Sequence, residues 1–223
     1  MTCPYAWWKR FASLFVGLVL LGGCASSGLS RPSDEATVQS SKDPTKGLVV
    51  LSALWGRTWN CAQFVNAQLL SFGFDRLPRE TMADDVMADV VIEGLPSVGG
   101  GPATNYVLAL DPGEYGLASF AIKVTGSGPD GKITGVGRAR LYEEGKPIGG
   151  TFTVKAGELV YIGHFGLDCY KEPTIWRYYP GGREGFAHYK QLIKAQYPFL
   201  DVEKMEFRLF KTAHLGRDYV LPP

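Results

Sequence analysis

Two segments of the chain repeat one pattern, and that repeat constrains the fold more than any other feature. "ALDPGEYGLASF" spans residues 109–120, and "TVKAGELVYIGHF" spans residues 153–165. Each passes through a Gly-Glu pair and then alternates apolar with small residues. A period of two is the signature of a half-buried strand. A glycine in the connecting turn supplies the positive φ with which a hairpin closes, often through a bulge. Tyr115 and Leu117 then line one face of the first segment, and Leu159 and Tyr161 one face of the second. Two such hairpins in one small domain predict a mainly β fold, an antiparallel sandwich. The 28 glycines and 14 prolines are scattered among apolar residues, which fits a domain with many turns rather than disorder.

The flanking segments carry weaker signals. "KGLVVLSALW" has a β-branched apolar centre and reads as a first strand. "TWNCAQFVNAQLLSFGF" fits two periods. As a strand it aligns Trp59, Cys61, Gln63, Val65, Ala67 and Leu69; as a helix it gathers Cys61, Phe64, Val65, Gln68 and Leu69. Residues 75–104 read as a short helix followed by a long glycine-rich loop. "REGFAHYKQLIKAQYP" places Phe186, Tyr189, Leu192 and Ile193 at helical spacing, and Pro198 ends that helix. "MEFRLFKT" reads as a last strand.

The amino terminus addresses the chain. "MTCPYAWWKR" ends in two positive charges, "FASLFVGLVLL" is an apolar run, and "GGCASSG" supplies small residues at its exit. This order is that of a secretory signal, and the run is short of the roughly 20 residues a membrane span needs. Leu21-Gly22-Gly23-Cys24 resembles the lipobox of bacterial lipoproteins. The resemblance implies cleavage after residue 23 and lipid, palmitate included, on Cys24. Ala25, in place of Asp, implies sorting to the outer membrane. Residues 24–46 are then a lipidated tether, since they are too polar to bury a core. A single domain follows over 47–223. Loss of Lys9 and Arg10 with the signal takes the net charge from +1 to −1. With no basic block, nothing points to nucleic acid. Of four cysteines, Cys3 leaves with the signal and Cys24 carries lipid. Cys61 and Cys169 remain as a candidate disulfide in an oxidising compartment.

"LDPGEYGLASF" followed by "FTVKAGELVYIG" also resembles a group of exported bacterial lipoproteins, with hairpins of the form "lPAGxYxLxxF" and "FxVxAGExVYIG". The matching stretch covers about residues 105–170. The resemblance implies a transthyretin-like or carboxypeptidase-regulatory-like β-sandwich. It implies no catalytic residues, and a fold by itself assigns no chemistry.

Three classes of function compete. "NCAQFV" and "AGELVYIGHFG" are similar to phrases of papain-like cell-wall peptidases. That reading makes Cys61 the nucleophile, His164 the base, and His188 or Asp168 the orienting group. Against it, the glycine-acidic turn and the histidine are merged into one segment, and 103 positions separate Cys61 from His164. "NCAQFV" also lacks the small pair that follows the nucleophile in that family. The second class is a metal site, but His164, His188 and His214 are scattered with no paired spacing. Glu114 and Glu158 occupy equivalent turns, which favours a turn role over acid–base chemistry. "VGGGPAT" lacks the Lys-Ser/Thr of a phosphate-binding loop. The third class is a non-catalytic binding or structural module, the reading adopted here. Its candidate contacts are Trp176, Tyr178 and Tyr179 in the loop-like stretch "TIWRYYPGG", facing an envelope protein or a glycan. No cofactor is expected.

Overall fold

The strand that opens the domain is buried on both faces, so it must lie between two layers. A computed structural model describes residues 39–56, 64, 67–81, 83–94, 103–124, 131–169, 172–179, 181–217, 219 and 221. The expected signal, Cys24 and Cys61 lie outside these residues, as does most of the glycine-rich loop. In chain order the strands are β1 (Gly47–Ala53), β2 (Gln68–Leu77), β3 (Val90–Glu93), β4 (Thr104–Leu110), β5 (Gly113–Val124) and β6 (Lys132–Val136). They continue with β7 (Tyr142–Glu143), β8 (Lys146–Pro147), β9 (Thr151–Val154), β10 (Leu159–Asp168), β11 (Thr174–Tyr178) and β12 (Glu206–Phe207). A helical turn, Arg138–Leu141, precedes β7, and a long helix, α1 (Gly182–Gln196), precedes β12.

The fold is mainly β, as the sequence predicts. One sheet runs β11-β10-β1-β4, with β12 also paired to β10. The other runs β3-β2-β5-β6, with β9 also paired to β5. Most pairs are antiparallel, but β1–β10 and β10–β12 are parallel. Val49, Leu51, Val160, Ile162 and Phe165 of the first sheet join Leu69, Phe72, Phe74 and Leu117 of the second in one core. The opposite face of the first sheet offers Val50, Val107, Leu159 and Tyr161, which pack against Phe186, Tyr189 and Ile193 of α1. This second core explains the unbroken apolar run of β1: both its faces are covered. Leu192, expected in the helix stripe, is 48% exposed.

The twin segments do form strands joined by turns, but neither turn closes a hairpin. β4 pairs with β1 while β5 pairs with β2, β6 and β9. β9 pairs with β5 while β10 pairs with β1, β11 and β12. Each turn therefore carries the chain from one sheet to the other. The residues between β4 and β5 supply the reason. A two-residue hairpin of type I′ or II′ needs positive φ at its first central position, which Asp111 does not take; Pro112, at the second, locks φ near −65° and so also rules out type I′. Gly113 does not take a positive φ, whereas Gly157 of the second turn does, at +69°. The two arches lie side by side, with Gly113 opposite Val154 and Glu114 opposite Thr153.

Two further expectations change for the same kind of reason. The described end of the ambiguous segment is strand β2. Its inward residues are Leu69, Phe72 and Phe74, spaced three and then two apart because the first of two shifts in the pairing with β5 leaves Leu70 as an extra residue on β2. Bulges of this sort give a strand the apolar spacing of a helix. The helix expected in residues 75–104 does not form among the described residues. There the carbonyls of Ala83 and Val86 accept from Arg138 Nη1, at 2.8 and 2.5 Å. The same guanidinium holds Asp75 through two bonds, Nε to Oδ2 at 2.6 Å and Nη2 to Oδ1 at 2.8 Å. Asp75 is fully buried, so a charge-paired arginine outcompetes the local helix ladder.

Candidate functional site

His164 lies on the face of β10 that meets α1, opposite to the face its sequence position suggests. Simple alternation puts it with Val160 and Ile162 in the sandwich core. The β1–β10 register, however, steps from Val50↔Tyr161 to Ser52↔His164. Gly163, at φ +114°, is the residue that permits this bulge. Tyr161 and His164, three apart, thereby share one face. The Tyr161 hydroxyl bonds His164 Nδ1. Ring centroids of Tyr178 and Tyr189 lie 5.4 and 4.9 Å from the imidazole. His164 is only 8% exposed, and burial pushes its pKa from 6.5 down to about 4. Burial also drives the Tyr161 and Tyr189 hydroxyls well above their ordinary range. With the phenol protonated and the imidazole neutral, the hydroxyl donates and Nδ1 accepts, which places the ring proton on Nε2.

Around this ring the helix is sealed by a polar chain. Tyr189 donates to Asn105 Oδ1 at 3.2 Å, and Tyr197 donates to the Asn105 carbonyl at 3.0 Å. Asn105 Nδ2 reaches Gln196 at 3.0 Å. His164 is thus a packed residue in a tyrosine cage. His188 and His214 are exposed. Asp168 sits at the far end of β10, so neither proposed orienting residue is hydrogen-bonded to His164. Cys61 lies outside the described residues. Cys169 is disulfide-bonded, and its partner cysteine also lies outside them. Among the described residues, no three of His, Cys, Asp and Glu gather as a metal site.

Glu158 does hold its turn. It accepts from Lys155 N at 2.9 Å and from Arg208 Nη1 at 2.9 Å, and Arg208 lowers its pKa. Lys46 pairs with Asp111 at 2.8 Å beside it, at the neighbouring arch. Glu114 is exposed on β5.

"TIWRYYPGG" is a strand over Thr174–Tyr178, at the end of the first sheet, and not a loop. Its period of two buries Ile175 and Arg177 and leaves Trp176 and Tyr178 half-buried on the face shared with His164. Tyr179 is buried, 4% exposed, and donates to the Gly182 carbonyl. Of the three aromatic candidates, Trp176 borders a pocket. That pocket, of about 490 Å³, is lined by Asp168, Trp176, Arg217 and Tyr219. Its volume falls in the range of small-molecule sites. The last two residues come from the carboxy-terminal tail, which the Arg177 guanidinium ties down by donating to the Arg217 carbonyl. A parallel bridge between Arg177 and Gly216 holds the same segment.

Two other pockets have ion-paired arginines in their walls. One is bordered by Arg76, Arg79 and Asp89, where Arg79 pairs with Asp75 and Asp89. Another is bordered by Arg208, which pairs with Glu158 and Glu206. In the tail pocket neither Asp168 nor Arg217 makes a side-chain bond or ion pair within the described residues. Sequence reading names Asp168 for another role and passes over Arg217 and Tyr219, because "GRDYV" has no pattern of its own. No protein-family model, curated protein or solved structure matches the chain.

Proposed function

We propose that this chain is an outer-membrane lipoprotein of a bacterial envelope, whose sandwich domain binds or braces and does not catalyse. The observation that carries the address is Leu21-Gly22-Gly23-Cys24 at the end of a short apolar run. Several acyl chains carried by Cys24 hold such a protein firmly, at about 0.8 kcal/mol per buried CH₂. The disulfide at Cys169 supports export, since disulfides persist in oxidising compartments. Cys61 is the partner that remains once Cys3 is cleaved and Cys24 is lipidated. Support for a non-catalytic role comes from the sealed, neutral state of His164 and its bond to Tyr161. A general base needs reach to its substrate, and this ring is covered by α1. The resemblance of residues 105–170 to exported sandwich lipoproteins points the same way.

The test is the anchor. Metabolic labelling with a palmitate analogue marks the native protein, and fractionation places it with the outer membrane. Cys24→Ala loses the label and leaves that fraction. A Cys24→Ala protein that remains there in full overturns the proposal.

A further inference from the structure

The tail pocket has a composition that selects among ligand classes. Trp176 and Tyr219 provide two aromatic rings, the first half-buried on β11 and the second 37% exposed. Tyr219 is held by an edge-on contact with Tyr179, at 5.8 Å between ring centroids. Asp168 and Arg217 add one carboxylate and one guanidinium, neither engaged elsewhere among the described residues. The indole N–H of Trp176 and the hydroxyl of Tyr219 are likewise without a protein partner there. Exposed aromatic rings present flat, weakly polar faces on which C–H groups pack. Among the described lining residues the charged pair sums to zero, which disfavours a strongly anionic ligand such as a phosphate, because Asp168 opposes it. It equally disfavours an acyl chain, which would strip water from both charges without replacing their hydrogen bonds.

A pyranose ring satisfies both halves. Its axial C–H groups form a flat apolar face, and its equatorial hydroxyls point outward in the ring plane as donors and acceptors. The Asp168 carboxylate accepts from such hydroxyls, and the Arg217 guanidinium donates to them. The walls are also fixed in place. The strand end at Asp168 adjoins the disulfide-bonded Cys169, and the Arg177 bond and the Gly216 bridge hold the tail. A site built on restrained elements loses less entropy on binding. We infer that the pocket between the end of β10, β11 and the carboxy-terminal tail is a saccharide-binding site. It takes a neutral pyranose unit of a glycan, stacked on Trp176 and Tyr219 and hydrogen-bonded by Asp168 and Arg217. This deepens the binding role proposed above by naming its ligand.

Isothermal titration of the full-length protein in detergent tests it, with two soluble oligosaccharides, N-acetylchitohexaose and cellohexaose. The expected result is saturable binding of at least one, with a Kd at or below about 1 mM. Preference for the first identifies an acetamido sugar, and preference for the second a plain hexose; either supports the site. Trp176→Ala weakens binding by about tenfold. Tyr219→Ala and Arg217→Gln alter exposed side chains, so they keep the test valid even where Trp176→Ala fails to fold; both weaken binding as well. Absence of saturable binding by both sugars overturns the inference, as does equal binding by all these variants. Inorganic phosphate that binds through Arg217 while neither sugar does overturns it too. Binding by Cys24→Ala separates this outcome from the anchor. A protein that leaves the membrane and still binds sugar refers any failure to one claim and not the other.

Discussion

Acid should loosen the helix from the sheet, and His164 sets by how much. The group is neutral in the fold, with a pKa of about 4 against 6.5 when unperturbed. Its cause is burial under α1, where Tyr161, Tyr178 and Tyr189 surround the ring and, among the described residues, no carboxylate bonds it. Between these two values the unfolded chain binds a proton that the folded chain does not. Stability therefore rises with pH across that window. The contribution is complete above about pH 6.5, falls as the pH drops, and is lost by about pH 4. Each pKa unit corresponds to about 1.4 kcal/mol, so the gap amounts to about 3 kcal/mol. That is a large part of the 5–15 kcal/mol or so by which domains are stable. The assay is urea unfolding from neutral pH to about pH 4, comparing the native protein with His164→Gln. Glutamine keeps an acceptor for the Tyr161 hydroxyl and does not titrate. Carboxylates such as Glu158 also titrate at the acid end, but they do so equally in both proteins. The native protein should lose about 3 kcal/mol more than the variant across the window. A difference that stays constant within about 0.5 kcal/mol would refute the reasoning.

Two substitutions test the backbone and the buried ion pair. Gly163→Ala places a Cβ 2.9 Å from Arg177 Cδ at φ +114°, so it should cost 2 kcal/mol or more, about twice the cost of Gly157→Ala. Gly157, at φ +69° with open space around it, carries only the backbone strain, and urea midpoints of the two variants should separate the effects. Asp75→Asn leaves the Arg138 guanidinium buried without its carboxylate, which should cost about 3–5 kcal/mol. A thermal melt should show this as a fall in Tm of about 10 °C, and an unchanged Tm would mean the pair contributes little.

Much of the fold was legible in the chain, and the misses have specific causes. The alternation around Tyr115, Leu117, Leu159 and Tyr161 located the strands because side chains on a strand must alternate between faces. The spacing of Phe186, Tyr189 and Ile193 located the helix for the analogous reason. Leu192 fitted the stripe in sequence but not in space, since a helix buries only the arc its neighbours cover. The turn at Asp111–Gly113 was visible, yet whether it closed a hairpin or crossed between sheets depended on the partners β1 and β2, which are far away in sequence. In "QLLSFGF" the bulge at Leu70 blurred the very period on which strand recognition rests.

For the site the division is sharper. The lipobox-like exit sequence and the disulfide candidate at Cys169 were read from the order of residues alone. His164 was conspicuous in sequence beside Asp168 and Cys169, and its meaning reversed in three dimensions. One bulge at Gly163 turned it to the helix face, against Tyr161 and Tyr189. Trp176 and Arg217 are 41 positions apart, and only the bridge between β11 and the tail brings them to one pocket. Local order determined most of the strands and the long helix, since those follow from periodicity, and it supplies the short motif on which the proposed address rests. Tertiary structure alone decided which strands share a sheet and which polar groups share a pocket, because such contacts form between residues that sequence keeps apart.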